Sequence, residues 1–254
     1  MRNYCALVFM ILISLVSSQA YSASQNSAED LFFQANQAYK DGNYPEAVQL
    51  YSELTGTGHT TGHLFYNLGN ACFRAGDPGR AILNYKRAEL FIPRDADLRF
   101  NLSYARDRTG DATEEPELLF DFVFFWVDSL SLDELFYAFA LVNLVFFVML
   151  TVRIFTKREW TYYVVVVCVI VWLIAGLSFG TRYVQIATDS RVVILADELN
   201  VLAGPDPHDT VLFRLHAGTV LERERSEGGW SLIRISDEKR GWVESHAIGS
   251  IKIP

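Results

Sequence analysis

Two uncharged, strongly apolar segments near the middle of the chain constrain its fold more than any other feature. They are Leu135–Val152 and Trp160–Phe179. Uncharged apolar segments of about 18 to 20 residues are long enough to cross the hydrocarbon core of a bilayer as helices. We therefore predict a hairpin of two transmembrane helices, at 131–153 and 160–181. The alternative interpretation is a pair of buried helices in a soluble protein.

A short basic segment joins the two apolar stretches and predicts the orientation of the hairpin. It carries one acid, Glu159, and three basic residues: Arg153, Lys157 and Arg158. Short loops rich in lysine and arginine stay on the cytoplasmic side of a membrane. We therefore predict a cytoplasmic loop at 154–159, with both far ends of the hairpin on the outer side.

The segment that precedes the hairpin, 111–130, begins as an acidic linker and ends in an apolar stretch. That stretch, Leu118–Val127, is too short to span a bilayer. We predict a short helix at the outer membrane interface; the alternative is a fold-back onto the domain upstream. Ser131 and Glu134 have the spacing of a capping box, which would start the first membrane helix.

The N-terminus has the three parts of a secretory signal peptide. Arg2 is followed by a mostly apolar run, Tyr4–Val16, and then by small residues at Ser18 and Ala20. We predict a signal peptide at 1–20; the alternative is an uncleaved N-terminal anchor. Either way the following domain is exported, which agrees with the orientation that the basic loop predicts.

Residues 28–110 contain a sequence repeat with a 34-residue period. Four pairs of residues lie one period apart: Ala38 and Cys72, Gly42 and Gly76, Ala47 and Ala81, and Tyr51 and Tyr85. Small residues let two antiparallel helices approach, aromatic residues fill the gaps, and the glycine ends the first helix. A partial third unit begins at Ala96 and predicts one closing helix.

The segment Asn67–Pro93 resembles the tetratricopeptide repeat. The matching residues are Leu68, Gly69, Gly76, Ala81, Tyr85, Ala88 and Pro93. Arrays of this family bind extended peptides or partner helices in a concave groove lined by their first helices. By this resemblance, the protein-binding groove residues are Phe32, Asn36, Tyr39, Tyr66, Asn67, Asn70, Phe73, Arg74 and Tyr104. The alternative is that the aromatic residues only pack along the groove wall. An array this short depends on its neighbours or on another chain for stability.

Short β-rich runs follow the hairpin and predict a small all-β barrel at 188–254. The predicted strands are Val192–Leu195, Leu199–Leu202, Val211–Leu215, Thr219–Glu224, Trp230–Ile235 and Gly241–Val243. The segments 199–205, 215–219, 229–230 and 241–243 resemble the bacterial SH3 domain, a family that binds peptidoglycan or peptides. Trp230 and Trp242 are the candidate ligand surface; the alternative is that both belong to the packing of the barrel.

The order of these parts resembles the BatE family of Bacteroides aerotolerance (Bat) operons. The segments 97–106 and 126–135 also resemble that family. The resemblance implies partners: von Willebrand factor A domain membrane proteins and, indirectly, a MoxR-type AAA ATPase. It also implies a location in the bacterial inner membrane, with two passes and with both terminal domains in the periplasm.

Chemistry-bearing motifs are missing from the sequence. It has no glycine-rich phosphate loop and no paired-cysteine metal motif, and the net charge of −8 opposes nucleic-acid binding. Loss of the signal peptide leaves Cys72 and Cys168, and Cys168 lies in the second predicted membrane helix, so no disulfide framework is predicted. We therefore predict no catalytic residue, metal or cofactor, and a non-enzymatic envelope scaffold. The alternative is a peptidoglycan-binding envelope sensor.

Overall fold

The computed structural model describes residues 27–109, 125–156, 158–236 and 239–253. It divides into two compact units, one up to Thr60 and one from Thr61. The predicted signal peptide, and the predicted linker as far as residue 124, lie outside the described residues.

The first unit is a helix pair, and the second contains helices followed by a β-domain. The pair consists of α1, residues 27–40, and α2, Tyr44–Gly56. The helices of the second unit are α3 (Gly62–Arg74), α4 (Pro78–Glu89), α5 (Ala96–Arg106), α6 (Phe125–Ser129), α7 (Leu132–Phe155) and α8 (Glu159–Ala187). The strands are β1 (Arg191–Ile194), β2 (Glu198–Leu202), β3 (Val211–His216), β4 (Val220–Glu227), β5 (Trp230–Ser236), β6 (Lys239–Glu244) and β7 (Ile248–Ser250).

The turn between α1 and α2 recurs between α3 and α4. Gly42 and Gly76 have φ values of +80° and +86°, a left-handed conformation that glycine adopts at little cost. The residue after each glycine donates its backbone N–H to a carbonyl oxygen of the preceding helix. Asn43 donates to Ala38 at 2.9 Å, and Asp77 donates to Cys72 at 3.0 Å. The two turns therefore have the same geometry, 34 positions apart.

One buried hydrogen bond within each helix pair also recurs at this spacing. The Tyr51 hydroxyl donates to Asn36 Oδ1 at 2.6 Å, and the Tyr85 hydroxyl donates to Asn70 Oδ1 at 2.7 Å. Both tyrosine rings are buried, since their relative exposures are 1% and 2%. The second helix of each pair is thus held to the first by the same tyrosine–asparagine contact.

Helices α7 and α8 are long and apolar enough to span a membrane. At 1.5 Å per residue their 24 and 29 residues measure about 36 and 44 Å. Rings interlock between them, with Phe139 stacked 6.1 Å from Phe179 and Phe146 stacked 5.6 Å from Trp172. Only 6% of the most apolar window of each helix is buried, so these helices are not a core for the described soluble parts.

The start of α7 carries the capping box that the sequence predicts. The Ser131 hydroxyl accepts from the Glu134 backbone N–H at 3.2 Å, and the Glu134 carboxylate accepts from the Ser131 N–H at 2.9 Å. The short helix α6 packs beside α8, where Trp126 Nε1 donates to Ser178 Oγ at 3.1 Å. Arg182 of α8 also pairs with Asp128 at 3.0 Å, and these contacts fix α6 at the end of the hairpin.

The β-domain is one antiparallel sheet of seven strands in the order β3-β2-β6-β5-β4-β1-β7. All six predicted strands are present, and β7 is an addition that the sequence did not predict. The inward residues form one apolar core: Val192, Ile194, Val201, Leu215, Leu221, Ile233, Val243 and Ile248. Alternate residues face outward, and this outer face carries the candidate ligand residues.

Helix α4 packs against the β1–β7 edge of the barrel. A Cβ added to Gly79 would lie 2.7 Å from the Ile194 carbonyl oxygen, so only glycine permits this approach of helix and strand. Farther along α4, Ile82 packs on Gly218 and Leu83 on Gly249. The barrel and the second helix pair are therefore in direct contact through α4.

Candidate functional site

Helices α3 and α5 are joined by a polar network on the predicted groove surface. Asn101 Nδ2 donates to Tyr66 OH at 3.0 Å and to Asn70 Oδ1 at 2.9 Å. The same Asn70 oxygen accepts from Tyr85, so it is fully used inside the protein. Asn101 was missed by sequence reasoning, although its place in the partial third unit corresponds to Asn67 one period earlier. The network fixes the spacing of α3 and α5.

A cluster of rings lies next to this network; we call Phe73, Phe100, Tyr104 and Arg108 the aromatic patch. Tyr104 is 5.6 Å from Phe73 and 6.3 Å from Phe100, measured between ring centroids. The Arg108 guanidinium lies 4.5 Å from the centre of the Tyr104 ring and hydrogen-bonds its hydroxyl. Phe100 is 68% exposed and Tyr104 is 42% exposed. Such a surface suits an apolar or aromatic side chain of a partner.

The sequence predicted two members of the aromatic patch, Phe73 and Tyr104, and missed Phe100 and Arg108. The signal for Arg108 was its position four residues after Tyr104, just beyond the end of α5, where the two side chains can meet. Asn67 and Arg74 also lie on α3, half-buried and exposed respectively.

The predicted groove residues of the first unit contact α2. Phe32 meets the Tyr51 ring edge-on at 6.0 Å, and Tyr39 meets the Tyr44 ring at 5.4 Å. Asn36 accepts the Tyr51 hydroxyl, and all three predicted residues are half-buried. Each therefore also helps to hold its own helix pair together.

Trp242 lies on the outer face of the barrel beneath an arginine. Its ring is only 7% exposed, and the Arg225 guanidinium lies 5.0 Å from the ring centre. In the strand register Trp242 is opposite Leu232, and Trp230 is opposite Glu244 two positions away. Both tryptophans thus belong to the same face of the sheet, with Trp230 half-buried near the strand end.

A groove of about 520 Å³ opens beside Trp242; we call it the barrel groove. It is lined by Ala203, Glu224, Arg225, Leu232, Arg240, Gly241 and Trp242. Trp230 is not among its lining residues. Arg225 and Arg240 do line it, and the sequence analysis did not identify either of them. Two guanidinium groups beside the Trp242 ring, with one carboxylate at Glu224, can hold a carboxylate together with a flat group.

The buried thiol of Cys72 is unsuited to chemistry at neutral pH. Burial, with a smaller contribution from Asp77, raises its pKa to about 12. The thiolate is the nucleophile and the metal ligand, so a protonated, buried thiol is inert.

Burial also lowers the pKa of Arg87, whose guanidinium donates to the Ser250 carbonyl oxygen at 2.7 and 3.2 Å between α4 and β7.

Comparison with known families identifies one part of this chain. Residues 196–249 match the bacterial SH3 domain family, which is a peptidoglycan- or protein-binding module. The match covers β2 to β6 and reaches into β7, and it includes the whole lining of the barrel groove. No curated protein matches the chain. The tetratricopeptide and BatE resemblances therefore stay predictions.

Proposed function

We propose that this protein is a membrane-anchored, non-enzymatic scaffold that binds protein partners on the periplasmic side. The observation that carries the proposal is the exposed aromatic patch on α3 and α5. The Arg108 guanidinium lies over the Phe73 and Tyr104 rings, and Tyr104 stacks on Phe100, so little side-chain freedom is lost when a partner binds. The barrel packs on α4, whereas Phe100 and Tyr104 of the aromatic patch remain exposed.

The recurrence of turn geometry and of the tyrosine–asparagine contact supports a tetratricopeptide assignment for the helical repeats. Repeats of that kind present their first helices to partners, and Phe73 belongs to α3, the first helix of its pair. In the second unit the barrel packs on α4, the second helix of this pair. The patch is then a short binding surface with a rigid support.

The membrane anchor is the α7–α8 hairpin. Trp160, Tyr162 and Tyr163 are exposed at its loop end and Tyr183 is exposed at the opposite end, as expected for aromatic side chains in two headgroup layers. The basic loop favours a cytoplasmic location, which puts the helical repeats and the barrel together in the periplasm. Export of the N-terminal part rests on the predicted signal peptide.

The resemblance to the BatE family supplies the partners of the proposal. We expect a von Willebrand factor A domain membrane protein to bind the aromatic patch and to link the scaffold indirectly to a MoxR-type AAA ATPase. The complex would act in aerotolerance or in another envelope stress response. Its two soluble modules would hold partners close to the membrane surface.

Removal of the aromatic patch is expected to weaken this partner contact about ten-fold or more, as for other interface hot spots. The variant is Phe100→Ala with Tyr104→Ala, in the full chain solubilised gently from membranes. Cross-linking and quantitative affinity capture measure the recovered von Willebrand factor A protein. Phe33→Ala removes an exposed phenylalanine of the first unit and should leave recovery unchanged. Equal recovery with the double variant would contradict the proposal.

The second candidate function is peptidoglycan binding through the barrel groove. It is favoured by the bacterial SH3 match together with two arginines beside Trp242, because peptidoglycan stem peptides carry carboxylates. Replacing Arg225 and Arg240 by alanine should lower retention of the detergent-solubilised protein on purified sacculi about ten-fold. Arg214→Ala, which removes an exposed arginine of β3, should not change retention. A wild-type protein that does not bind sacculi rules this function out.

A further inference from the structure

We infer that a pocket at the outer end of the membrane hairpin binds a zwitterionic phospholipid with an ammonium headgroup. The inference rests on the membrane anchorage proposed above. The pocket has a volume of about 280 Å³, near the lower limit of roughly 300 Å³ for small-molecule sites. Its apolar walls are Leu90, Phe91, Leu132, Tyr183, Ile186 and Ile253.

The position of the pocket along the hairpin matches the boundary between acyl chains and headgroups. Leu132 is the first residue of α7, and Ile186 lies in the last turn of α8. The uncharged part of α7 begins three residues after Leu132. Leu90 and Phe91, in the turn after α4, close the pocket from the soluble side. When the upper part of an acyl chain fills an apolar cavity at this level, apolar surface is removed from water, which is favourable.

Two opposite charges on the pocket select the headgroup. Lys252 lines the pocket and donates from Nζ to the Ala187 carbonyl oxygen at 2.6 Å, which holds the ammonium at the end of α8. Asp133, an exposed residue of the first turn of α7, lines it as well. A phosphate can pair with Lys252 while the ammonium of the same headgroup pairs with Asp133. Phosphatidylglycerol carries a phosphate but no ammonium. Its phosphate would pair with Lys252 and would repel the Asp133 carboxylate, so phosphatidylethanolamine fits the pocket better.

Photo-labelling of the full chain in nanodiscs tests this site. The nanodiscs contain phosphatidylethanolamine and phosphatidylglycerol in equal amounts, with a trace of either lipid carrying a photoactivatable acyl chain. We expect the phosphatidylethanolamine probe to label peptides that contain Leu132 or Ile186. Ile186→Trp fills the pocket and should reduce this labelling about ten-fold, and Lys252→Gln should reduce it by a similar factor through loss of a charge-assisted hydrogen bond.

Matched variants separate the pocket from general contact with lipid. Val184→Trp places the same ring at an exposed position on α8 outside the pocket and should leave labelling unchanged. Asp133→Asn should shift labelling from the phosphatidylethanolamine probe towards the phosphatidylglycerol probe. Lys252→Gln and Asp133→Asn alter exposed side chains, so they carry the test if Ile186→Trp misfolds. Equal labelling of wild-type protein by both probes, or equal loss in Ile186→Trp and Val184→Trp, overturns the inference.

Native membranes from the expressing cells distinguish failure of the pocket from failure of the anchorage. Release of the protein from membranes by alkaline carbonate overturns both proposals. Retention in the membrane without labelling of the pocket overturns the lipid site alone. A photo-crosslinking amino acid at position 186, introduced in cells, should form lipid adducts; adducts with a polypeptide would assign the pocket to a protein instead.

Discussion

Replacing Gly79 by leucine is expected to detach the barrel from helix α4. A Cβ at this position would lie 2.7 Å from the Ile194 carbonyl oxygen and 2.9 Å from Leu195 Cα, and backbone atoms cannot rotate away. Overpacking of this kind costs about 1–3 kcal/mol, and the extra atoms of leucine put the effect at the upper end. In isolation the substitution would not disfavour the helix, because leucine is a better helix former than glycine, and Gly79 lies in the first turn of α4. A loss of stability can therefore be assigned to the docking contact.

Hydrogen exchange of the detergent-solubilised full chain measures this effect. We expect faster exchange of the β1 amides and of the turn after Ile194 in Gly79→Leu, with the rest of the sheet still protected. Arg80→Ala changes the next residue, which is exposed, and should stay within about 0.5 kcal/mol of wild type. Unchanged protection of β1 in Gly79→Leu would mean that the barrel does not rest on α4 in solution.

Replacing Tyr85 by alanine is expected to destabilise α3, α4 and α5 by about 3–5 kcal/mol, the usual cost of removing a large buried aromatic ring. The ring is 2% exposed and packs against Gly69, where an added Cβ would meet it at 2.6 Å. Its hydroxyl also donates to Asn70 Oδ1, so the substitution loses both packing and a hydrogen bond. Denaturant-dependent hydrogen exchange of these three helices measures the change.

Tyr85→Phe separates the two contributions. It keeps the ring and removes only the hydroxyl, and Asn70 Oδ1 still accepts from Asn101, so the expected cost is about 1 kcal/mol. Tyr51→Ala is the equivalent change in the first unit and should lower protection of α1 and α2. If Tyr85→Ala and Tyr85→Phe had the same small effect, the buried tyrosine would not be the centre of the helix pair.

Regular patterns in the chain predicted the parts of this structure that depend on local periodicity. The 34-residue spacing of Gly42 with Gly76 and of Tyr51 with Tyr85 predicted two equivalent turns and two equivalent buried rings, and both are present. Alternation of apolar residues predicted six strands. It missed β7, Ile248–Ser250, because three residues after a short 3₁₀ turn are too few to show alternation.

Site residues were predicted less completely, because exposure and cross-strand pairing depend on elements that are distant in sequence. Phe73, Tyr104 and Trp242 were identified by their positions in repeat or barrel motifs. Phe100 was missed because it lies off the buried face of α5, which Leu98, Leu102 and Ala105 form, and no repeat motif marks its position. Arg225 was missed because only the pairing of β4, β5 and β6 brings it over Trp242.

By itself the sequence determined the two membrane-length helices, the repeated helix pairs and the barrel, since each follows from the spacing of apolar and small residues within one segment. Only the tertiary structure decided that α4 docks on the β1–β7 edge and that a pocket forms at the end of the hairpin. The contact of Arg87 with the Ser250 carbonyl oxygen joins residues 163 positions apart. No periodicity links such residues, because what unites them is the shape and hydrogen bonding of two surfaces that exist only after each part has folded.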